Sequence, residues 1–141
     1  MQNVRTEHRK ALDSLAGQTD DMLAKTRQLA GINSGSFNAQ GVAQVAEQLA
    51  TWFRPLADTV ETMATPPLRQ LADDGTFVDR PMGPTLVMRK RSGASRRVLL
   101  AGHLDTVFPQ SSTFQAVDQR SDRLHGPGVA DLKGGLVVMR Q

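Results

Sequence analysis

The first thirty residues carry apolar side chains at the spacing of a helix. Over residues 4–30 several of them lie three or seven residues apart, which places them in one stripe along one helical face. The stripe consists of Leu12, Leu15, Met22, Leu23 and Leu29. Gly31 is expected to end this helix. We therefore predict one helix whose stripe packs into a core.

A second helix is predicted after the Asn-Ser-Gly-Ser loop at 33–36. Asn38 can cap it, because an asparagine side chain accepts hydrogen bonds from the free amides of a first helical turn. Four apolar positions repeat at helical steps and are also expected in the core: Val42, Val45, Leu49 and Trp52. The residue before a proline avoids helical conformation, so Pro55 ends this helix.

Beyond Pro55 the pattern changes to short β-rich runs separated by turn residues. Strands are predicted at 59–63 and 84–91. The stretch between them holds Pro66, Pro67 and an Asp-Asp-Gly turn at 73–75, which indicates a loop.

The most apolar run, RVLLAGHLD at 97–105, is typical of a strand buried on both faces of a sheet. Short edge strands are expected at 114–117 and 123–124, and a helix begins near Leu132. Helices that feed a sheet and return to helix indicate an α/β layered domain. Its 141 residues fit one domain, helical over 1–54, mainly strands over 55–131, and starting a helix at 132–141.

Composition excludes several classes of function. The chain has 17 lysines and arginines against 14 aspartates and glutamates, a net charge of +3 that is largely scattered. No stacking aromatics flank the basic clusters, so we expect no nucleic-acid partner. The chain has no cysteine, which excludes disulfides and thiolate metal sites. Without a signal peptide or a membrane-spanning apolar run, the expectation is a cytoplasmic protein with no membrane partner.

Candidate chemistry starts with His103 and Asp105 at the end of the predicted buried strand. Residues two apart in a strand point to the same face, and ligand sites gather beyond the carboxyl ends of strands. A carboxylate that holds one imidazole nitrogen makes the ring a better metal ligand. The pair alone also fits a structural histidine at a strand end, which is the commoner case.

The second candidate is Asp131, which lies between the glycine pairs of GPGVADLKGG at 126–135. Glycines let the backbone approach a ligand closely. The structural alternative is a tight turn in which Asp131 caps the following helix. The run matches neither the dinucleotide fingerprint G-x-G-x-x-G nor the phosphate loop G-x-x-x-x-G-K-[ST], so a phosphate site is not expected.

Taken together, His-x-Asp-Thr-Val-Phe at 103–108 and Gly-Pro-Gly-Val-Ala-Asp-Leu-Lys-Gly-Gly at 126–135 resemble a zinc exopeptidase family. That family includes glutamate carboxypeptidase, acetylornithine deacetylase and succinyl-diaminopimelate desuccinylase. The similarity extends to Asn33-Ser34-Gly35-Ser36, Asn38 and Gly41-Val42, a pattern seen especially in the glutamate carboxypeptidase branch. The resemblance implies the N-terminal portion of a three-layer αβα catalytic domain, truncated before an inserted lid and dimerisation domain.

The resemblance also implies roles for particular residues. His103 and Asp131 would be metal ligands, with Asp131 bridging two zinc ions, and Asp105 would be the catalytic-site carboxylate that orients His103. The peptide bond between Asp131 and Leu132 is expected to be cis, as is common in this family. We assign no metal role to His8 or His125. The general base and the other ligands would lie downstream.

The activity implied by the resemblance is hydrolysis of an amide or peptide bond by a two-metal-activated water. The enzyme would be an exopeptidase of the carboxypeptidase type, which releases a C-terminal amino acid. The cofactor would be two zinc ions, with cobalt or manganese as alternatives. A small peptide or N-acyl amino acid would be the substrate, and the complete protein could form a homodimer. The alternative is a non-catalytic truncated gene product that binds metal weakly or only pairs with another chain. The 141 residues alone are expected to be inactive, since they lack the base.

Overall fold

The computed structural model describes residues 6–141 and shows a mixed α/β fold. Helices come first: α1 Thr6–Ala16, α2 Thr19–Ala30 and α3 Ala39–Phe53. Short strands follow: β1 Thr59–Met63, β2 Leu68–Leu71, β3 Phe77–Arg80, β4 Thr85–Arg89, β5 Asp118–Arg120 and β6 Arg123–His125. The last elements are a π-helical turn at Val129–Lys133 and α4 at Gly134–Arg140. Among the described helices, none has the length and apolar character needed to cross a membrane.

The single helix predicted over 4–30 is wrong in one respect, because the described part of it breaks into α1 and α2 at Gly17. Glycine is the poorest helix former after proline, and the amide of Gln18 turns back to the carbonyl of Leu15 at 3.0 Å. The break divides the apolar stripe. Leu29 of α2 is fully buried, whereas Leu12 of α1 is 57% exposed. Residues 4 and 5 lie outside the described residues.

The second predicted helix is confirmed as α3. The Asn38 side-chain oxygen accepts a hydrogen bond from the amide of Gly41 at 3.1 Å, which is the predicted cap. The helix ends at Phe53, two residues before Pro55. Val45 and Leu49 face inward and are buried.

The core lies where α2, α3 and α4 meet. Its buried apolar side chains are Leu29, Val45, Leu49, Leu136 and Val137. Burying one such side chain stabilises a fold by about 1.5–3 kcal/mol. Leu104 and Leu132 pack against this cluster, and each neighbours a candidate site residue in the sequence. The core therefore holds both parts of the candidate site in place.

The strands form three separate two-stranded antiparallel sheets: β1 with β4, β2 with β3, and β5 with β6. β1 and β4 confirm the strands predicted at 59–63 and 84–91. The loop predicted between them is wrong, because β2 and β3 form a hairpin there. Asp74 accepts from the amide of Thr76 at 2.9 Å, and Gly75 has a φ of 83°, as an Asp-Gly turn allows. The hairpin is exposed along both strands, so it has no alternating apolar pattern to reveal it.

The buried strand predicted over 97–105 is not found. Residues 97–103 join no strand ladder with any other part of the described chain, and Val98, Leu99 and Leu100 are 85%, 88% and 62% exposed. An apolar run is buried as a strand only where hydrogen-bonded neighbours and covering layers surround it. The edge strand predicted at 114–117 is displaced to β5, whereas the one at 123–124 is confirmed within β6. The three-layer αβα arrangement stays a prediction.

The packing of α3 on the preceding loop gives a first test at Gly41. A Cβ atom there would stand 1.8 Å from the carbonyl oxygen of Asn33, which is backbone and cannot rotate away. We expect Gly41→Ala to lower the free energy of unfolding by about 1–3 kcal/mol, the usual cost of overpacking. Gly17→Ala is the matched control, since nothing lies within 4 Å of a Cβ built at Gly17. Equal losses for both variants in chemical denaturation would contradict this packing.

Candidate functional site

His103 stands between two aspartates. Its Nε2 atom lies 3.0 Å from Oδ1 of Asp131. On the other side of the ring, Nδ1 lies 2.9 Å from the backbone oxygen of Asp105 and 3.2 Å from Oδ1 of its carboxylate. The structure thus brings together all three residues that the sequence singled out. It does so although the strand that was expected to align His103 with Asp105 is not formed.

Asp131 projects from an interrupted turn at the start of α4. Gly128 begins this turn with a φ of 71°, in the left-handed region that glycine adopts without steric cost. Asp131 itself has extended backbone angles, φ −133° and ψ 94°, and so breaks the helical geometry. The peptide bond between Asp131 and Leu132 is cis, which confirms the expectation from the family resemblance. The alternative in which Asp131 caps the helix is not supported, because no side-chain cap bond is made at the start of this turn or of α4.

Lys133 fastens the Asp131 turn to the loop that follows α2. Its side chain is buried, and Nζ donates a hydrogen bond to the carbonyl oxygen of Ile32 at 2.7 Å. Burial lowers the pKa of Lys133 to about 8, because the charged ammonium loses its hydration.

Asp105 is held by the same loop, through Ser36. The Ser36 hydroxyl donates to Oδ2 of Asp105 at 2.5 Å. Around this contact, the amide of Thr106 donates to Ser34 at 2.8 Å, and the amide of Ser36 donates back to the carbonyl of Thr106 at 3.0 Å. The sequence interpretation used Ser36 only as part of the family resemblance and missed its contact with Asp105. The local signal in the sequence is a serine beside a glycine in a loop. This signal does not identify the partner, which lies 69 residues away.

The two aspartates raise the pKa of His103. The main cause is the hydrogen bond to Asp131, and the Asp105 carbonyl and the charges of both carboxylates add to it. Partial burial opposes the shift, because it disfavours the charged imidazolium. In the metal-free chain, the pKa of His103 is therefore higher than that of an isolated histidine, and the protonated ring is favoured.

The donor atoms fit part of a zinc site. Imidazole nitrogen and carboxylate oxygen both bind zinc at about 2.0–2.2 Å, so two such ligands on one tetrahedral ion stand about 3.3 Å apart. The separation of 3.0 Å between His103 Nε2 and Asp131 Oδ1 is close to that value. Asp105 faces the opposite ring nitrogen and cannot reach the same ion. Accordingly, no group of three His, Cys, Asp or Glu residues in the described part of the chain could hold a metal.

A cavity of about 310 Å³ opens beside these polar atoms. Apolar side chains line much of it: Val107, Phe108, Phe114 and Val129. Phe114 packs edge-on against both Phe108 and His125, with ring centroids 4.8 and 5.1 Å apart. His125 thus contributes to an aromatic group beside the cavity, while His8 is exposed on α1.

Several curated proteins are similar to parts of the chain. A Mycobacterium tuberculosis protein named as a succinyl-diaminopimelate desuccinylase, DapE, is 45% identical over 56 residues, 40% of this chain and 15% of that protein. The acetylornithine deacetylase of Vibrio campbellii is 32% identical over 99 residues, 67% of this chain and 22% of the relative. Carboxypeptidase G2 of a Pseudomonas species is 27% identical over 112 residues, 79% of this chain and 24% of the relative.

The chain therefore spans between 15% and 24% of the length of these relatives. No family model matches it, and no solved structure matches it. These relatives bear the names of hydrolytic enzymes, and they support the resemblance of the chain to that zinc exopeptidase family, the M20 peptidases. The relatives are a desuccinylase, a deacetylase and a carboxypeptidase, so they do not single out the glutamate carboxypeptidase branch.

The contact between His103 and Asp131 predicts a titration difference in the metal-free chain. We expect Asp131→Asn to lower the pKa of His103, because it removes the main cause of the raised value. Asp73→Asn, which removes a charge from the exposed hairpin turn, is the control and should leave the pKa unchanged. Proton NMR of the imidazole ring in the presence of a chelator measures both variants. Equal pKa values for Asp131→Asn and wild type would show that the contact is absent in solution.

The same shift fixes the sign of a pH effect on stability. A raised pKa means that the folded state binds the proton more tightly than the unfolded chain does. The contact therefore contributes its full stabilisation below about pH 6.5, and this contribution disappears as pH rises through the raised pKa. We expect Asp131→Asn to flatten that part of the pH profile of thermal unfolding in the metal-free chain. If Asp131→Asn left the pH profile of thermal unfolding unchanged, the contact between His103 and Asp131 would not be the cause of the raised pKa.

Proposed function

We propose that this chain supplies one part of a two-zinc site that hydrolyses an amide or peptide bond. The observation that carries the proposal is the position of His103, with one ring nitrogen held by Asp105 and the other 3.0 Å from Asp131 Oδ1. The partial relatives, a desuccinylase, a deacetylase and a carboxypeptidase, support the same class of reaction.

Each residue has a distinct task in this proposal. Asp105 accepts a hydrogen bond from Nδ1–H of His103, which leaves the Nε2 lone pair for a metal and orients the ring. Asp131 would bridge two ions, and its side chain is 85% exposed and thus accessible to them. Bound zinc would supply a Lewis acid for the scissile carbonyl and an acidified water as nucleophile.

The rest of the site would come from outside these 141 residues. Zinc typically takes three or four protein ligands, and His103 and Asp131 provide two. The general base and remaining ligands would follow in the complete protein, together with a lid and dimerisation domain. In that protein we propose an exopeptidase of the carboxypeptidase type, acting on a small peptide or N-acyl amino acid. A three-layer αβα architecture, a homodimer and a cytoplasmic location are parts of the same proposal.

One observation favours a second candidate. Because no set of three ligands converges in the described residues, the chain by itself suits weak metal binding or pairing with another chain. In that case it would be non-catalytic.

Zinc titration of single variants tests the proposed metal role. We expect His103→Ala to abolish zinc binding measured by calorimetry, because it removes one of the two ligands. Asp105→Asn should weaken binding by about 10–100-fold, the usual effect of losing a residue that orients a ligand. His8→Ala is the matched control, since His8 is exposed on α1. Identical binding by His103→Ala and His8→Ala would refute the site.

Assays of turnover test whether the 141 residues can act without further ligands and a further base. We expect the 141-residue chain to bind zinc weakly and to leave N-acyl amino acids and dipeptides intact. General acid–base catalysis contributes about 10²–10⁴-fold, and the proposed general base lies outside these residues. Tight stoichiometric zinc together with turnover that His103→Ala abolishes would show that other residues complete the site.

A further inference from the structure

We infer that Ser36 is a positioning residue that fixes the carboxylate of Asp105 and, through it, the orientation of the His103 ring. The inference deepens the proposed function, on which its zinc measurement rests. It concerns a residue of the loop between α2 and α3 that lies outside the three residues assigned so far.

The two oxygens of the Asp105 carboxylate face different donors. Oδ2 accepts from the Ser36 hydroxyl at 2.5 Å, and Oδ1 lies 3.2 Å from Nδ1 of His103. An ionised carboxylate only accepts hydrogen bonds, so the serine must be the donor. With one oxygen held on each side, the carboxylate cannot rotate without losing one of the two contacts.

Ser36 is itself held in place by backbone hydrogen bonds. Its amide donates to the carbonyl of Thr106, and the amide of Thr106 donates to Ser34, so the loop and the residue after Asp105 form one hydrogen-bonded pair. Thr106 is buried. The Ser36 hydroxyl also lies 3.3 Å from the Thr106 carbonyl, but the nearer and charged carboxylate oxygen is the stronger acceptor.

The loop between α2 and α3 is fixed along its length. Asn33 donates through its side-chain amide to the carbonyl of Phe108 at 3.2 Å, and Asn38 donates to the carbonyl of Asn33 at 2.8 Å. At Gly35 the two segments approach so closely that a Cβ atom would lie 2.6 Å from the carbonyl oxygen of Phe108. The hydroxyl of Ser36 is therefore presented to Asp105 by a rigid support.

Removing the Ser36 hydroxyl should leave one hydrogen bond of the His103 ring in place. Nδ1 of His103 keeps the backbone carbonyl of Asp105 at 2.9 Å, so the ring retains one acceptor. Losing Ser36 should thus weaken the alignment of the ring without abolishing it. We expect an effect near the lower end of the 10–100-fold range found for residues that orient metal ligands.

The test compares three variants of the two loop serines in the 141-residue chain. Ser36→Ala removes the donor to Asp105, and Ser36→Thr keeps a hydroxyl there. Ser34→Ala is the matched control, because the Ser34 hydroxyl is buried and has no hydrogen-bond partner among the described residues. Zinc affinity by calorimetry is the first measurement. The second, in the metal-free chain at a pH where the ring is neutral, is the ratio of the two His103 tautomers from ring ¹⁵N chemical shifts.

We expect Ser36→Ala to weaken zinc binding about tenfold. We also expect it to lower the ratio of the Nδ1–H to the Nε2–H tautomer about fivefold, because the Asp105 carboxylate is then no longer held beside Nδ1. Ser36→Thr and Ser34→Ala should remain within about twofold of wild type in both measurements, far inside the tenfold effect. A Ser36→Ala chain that matches Ser34→Ala in both would overturn the inference. So would a loss of zinc affinity with an unchanged tautomer ratio, because the effect would then not pass through Asp105.

Two further outcomes are distinguishable. If the wild-type chain binds no zinc, the proposed function fails, while the tautomer ratio alone still decides the role of Ser36. If Ser36→Ala does not fold, Ser36→Cys replaces it, because a thiol is of similar size and is a weaker donor. The same direction of change in the tautomer ratio is expected for that variant, and an unchanged ratio would overturn the inference.

Discussion

Hydrogen bonds to the loop between α2 and α3 fix both parts of the candidate site. On one side, Thr106 pairs with Ser34 and Ser36 and so holds the segment that carries His103 and Asp105. On the other side, the ammonium of Lys133 donates to the carbonyl of Ile32 and holds the turn that carries Asp131. The two segments lie 28 residues apart in sequence. The 3.0 Å contact between His103 and Asp131 therefore depends on one short loop that makes no direct contact with either of the facing atoms.

The buried ammonium of Lys133 has a structural role in this arrangement, because it donates to the carbonyl of Ile32. A buried ammonium loses hydration, which lowers its pKa to about 8. In return, it satisfies a carbonyl just beyond the end of α2, where helical hydrogen bonds run out. An apolar side chain of the same length could fill the space but would leave that carbonyl without this donor. The lysine thus fixes the position of the Asp131 turn at some cost in stability, while Leu136 and Val137 of α4 anchor the same turn in the core.

Features determined by neighbours in sequence could be predicted, and those determined by distant partners could not. The period of α3, its cap at Asn38 and the strands β1 and β4 are local, and they were predicted correctly. The 97–105 run failed because burial of a strand depends on its neighbours and not on its own apolar residues. His103, Asp105 and Asp131 were found through motifs that resemble a family. The contact between Ser36 and Asp105 joins two segments 69 residues apart, and no periodicity encodes it.

The candidate site has a fixed geometry, yet its charged groups are open to water. The side chain of His103 is 46% exposed and that of Asp131 is 85% exposed. Coulomb interactions weaken as the surrounding dielectric rises, so at these positions short hydrogen bonds, and not long-range fields, set the arrangement. Charge stabilisation in a reaction gains most where water is excluded. For the proposed hydrolysis, the groups described here therefore provide the alignment of the ligands.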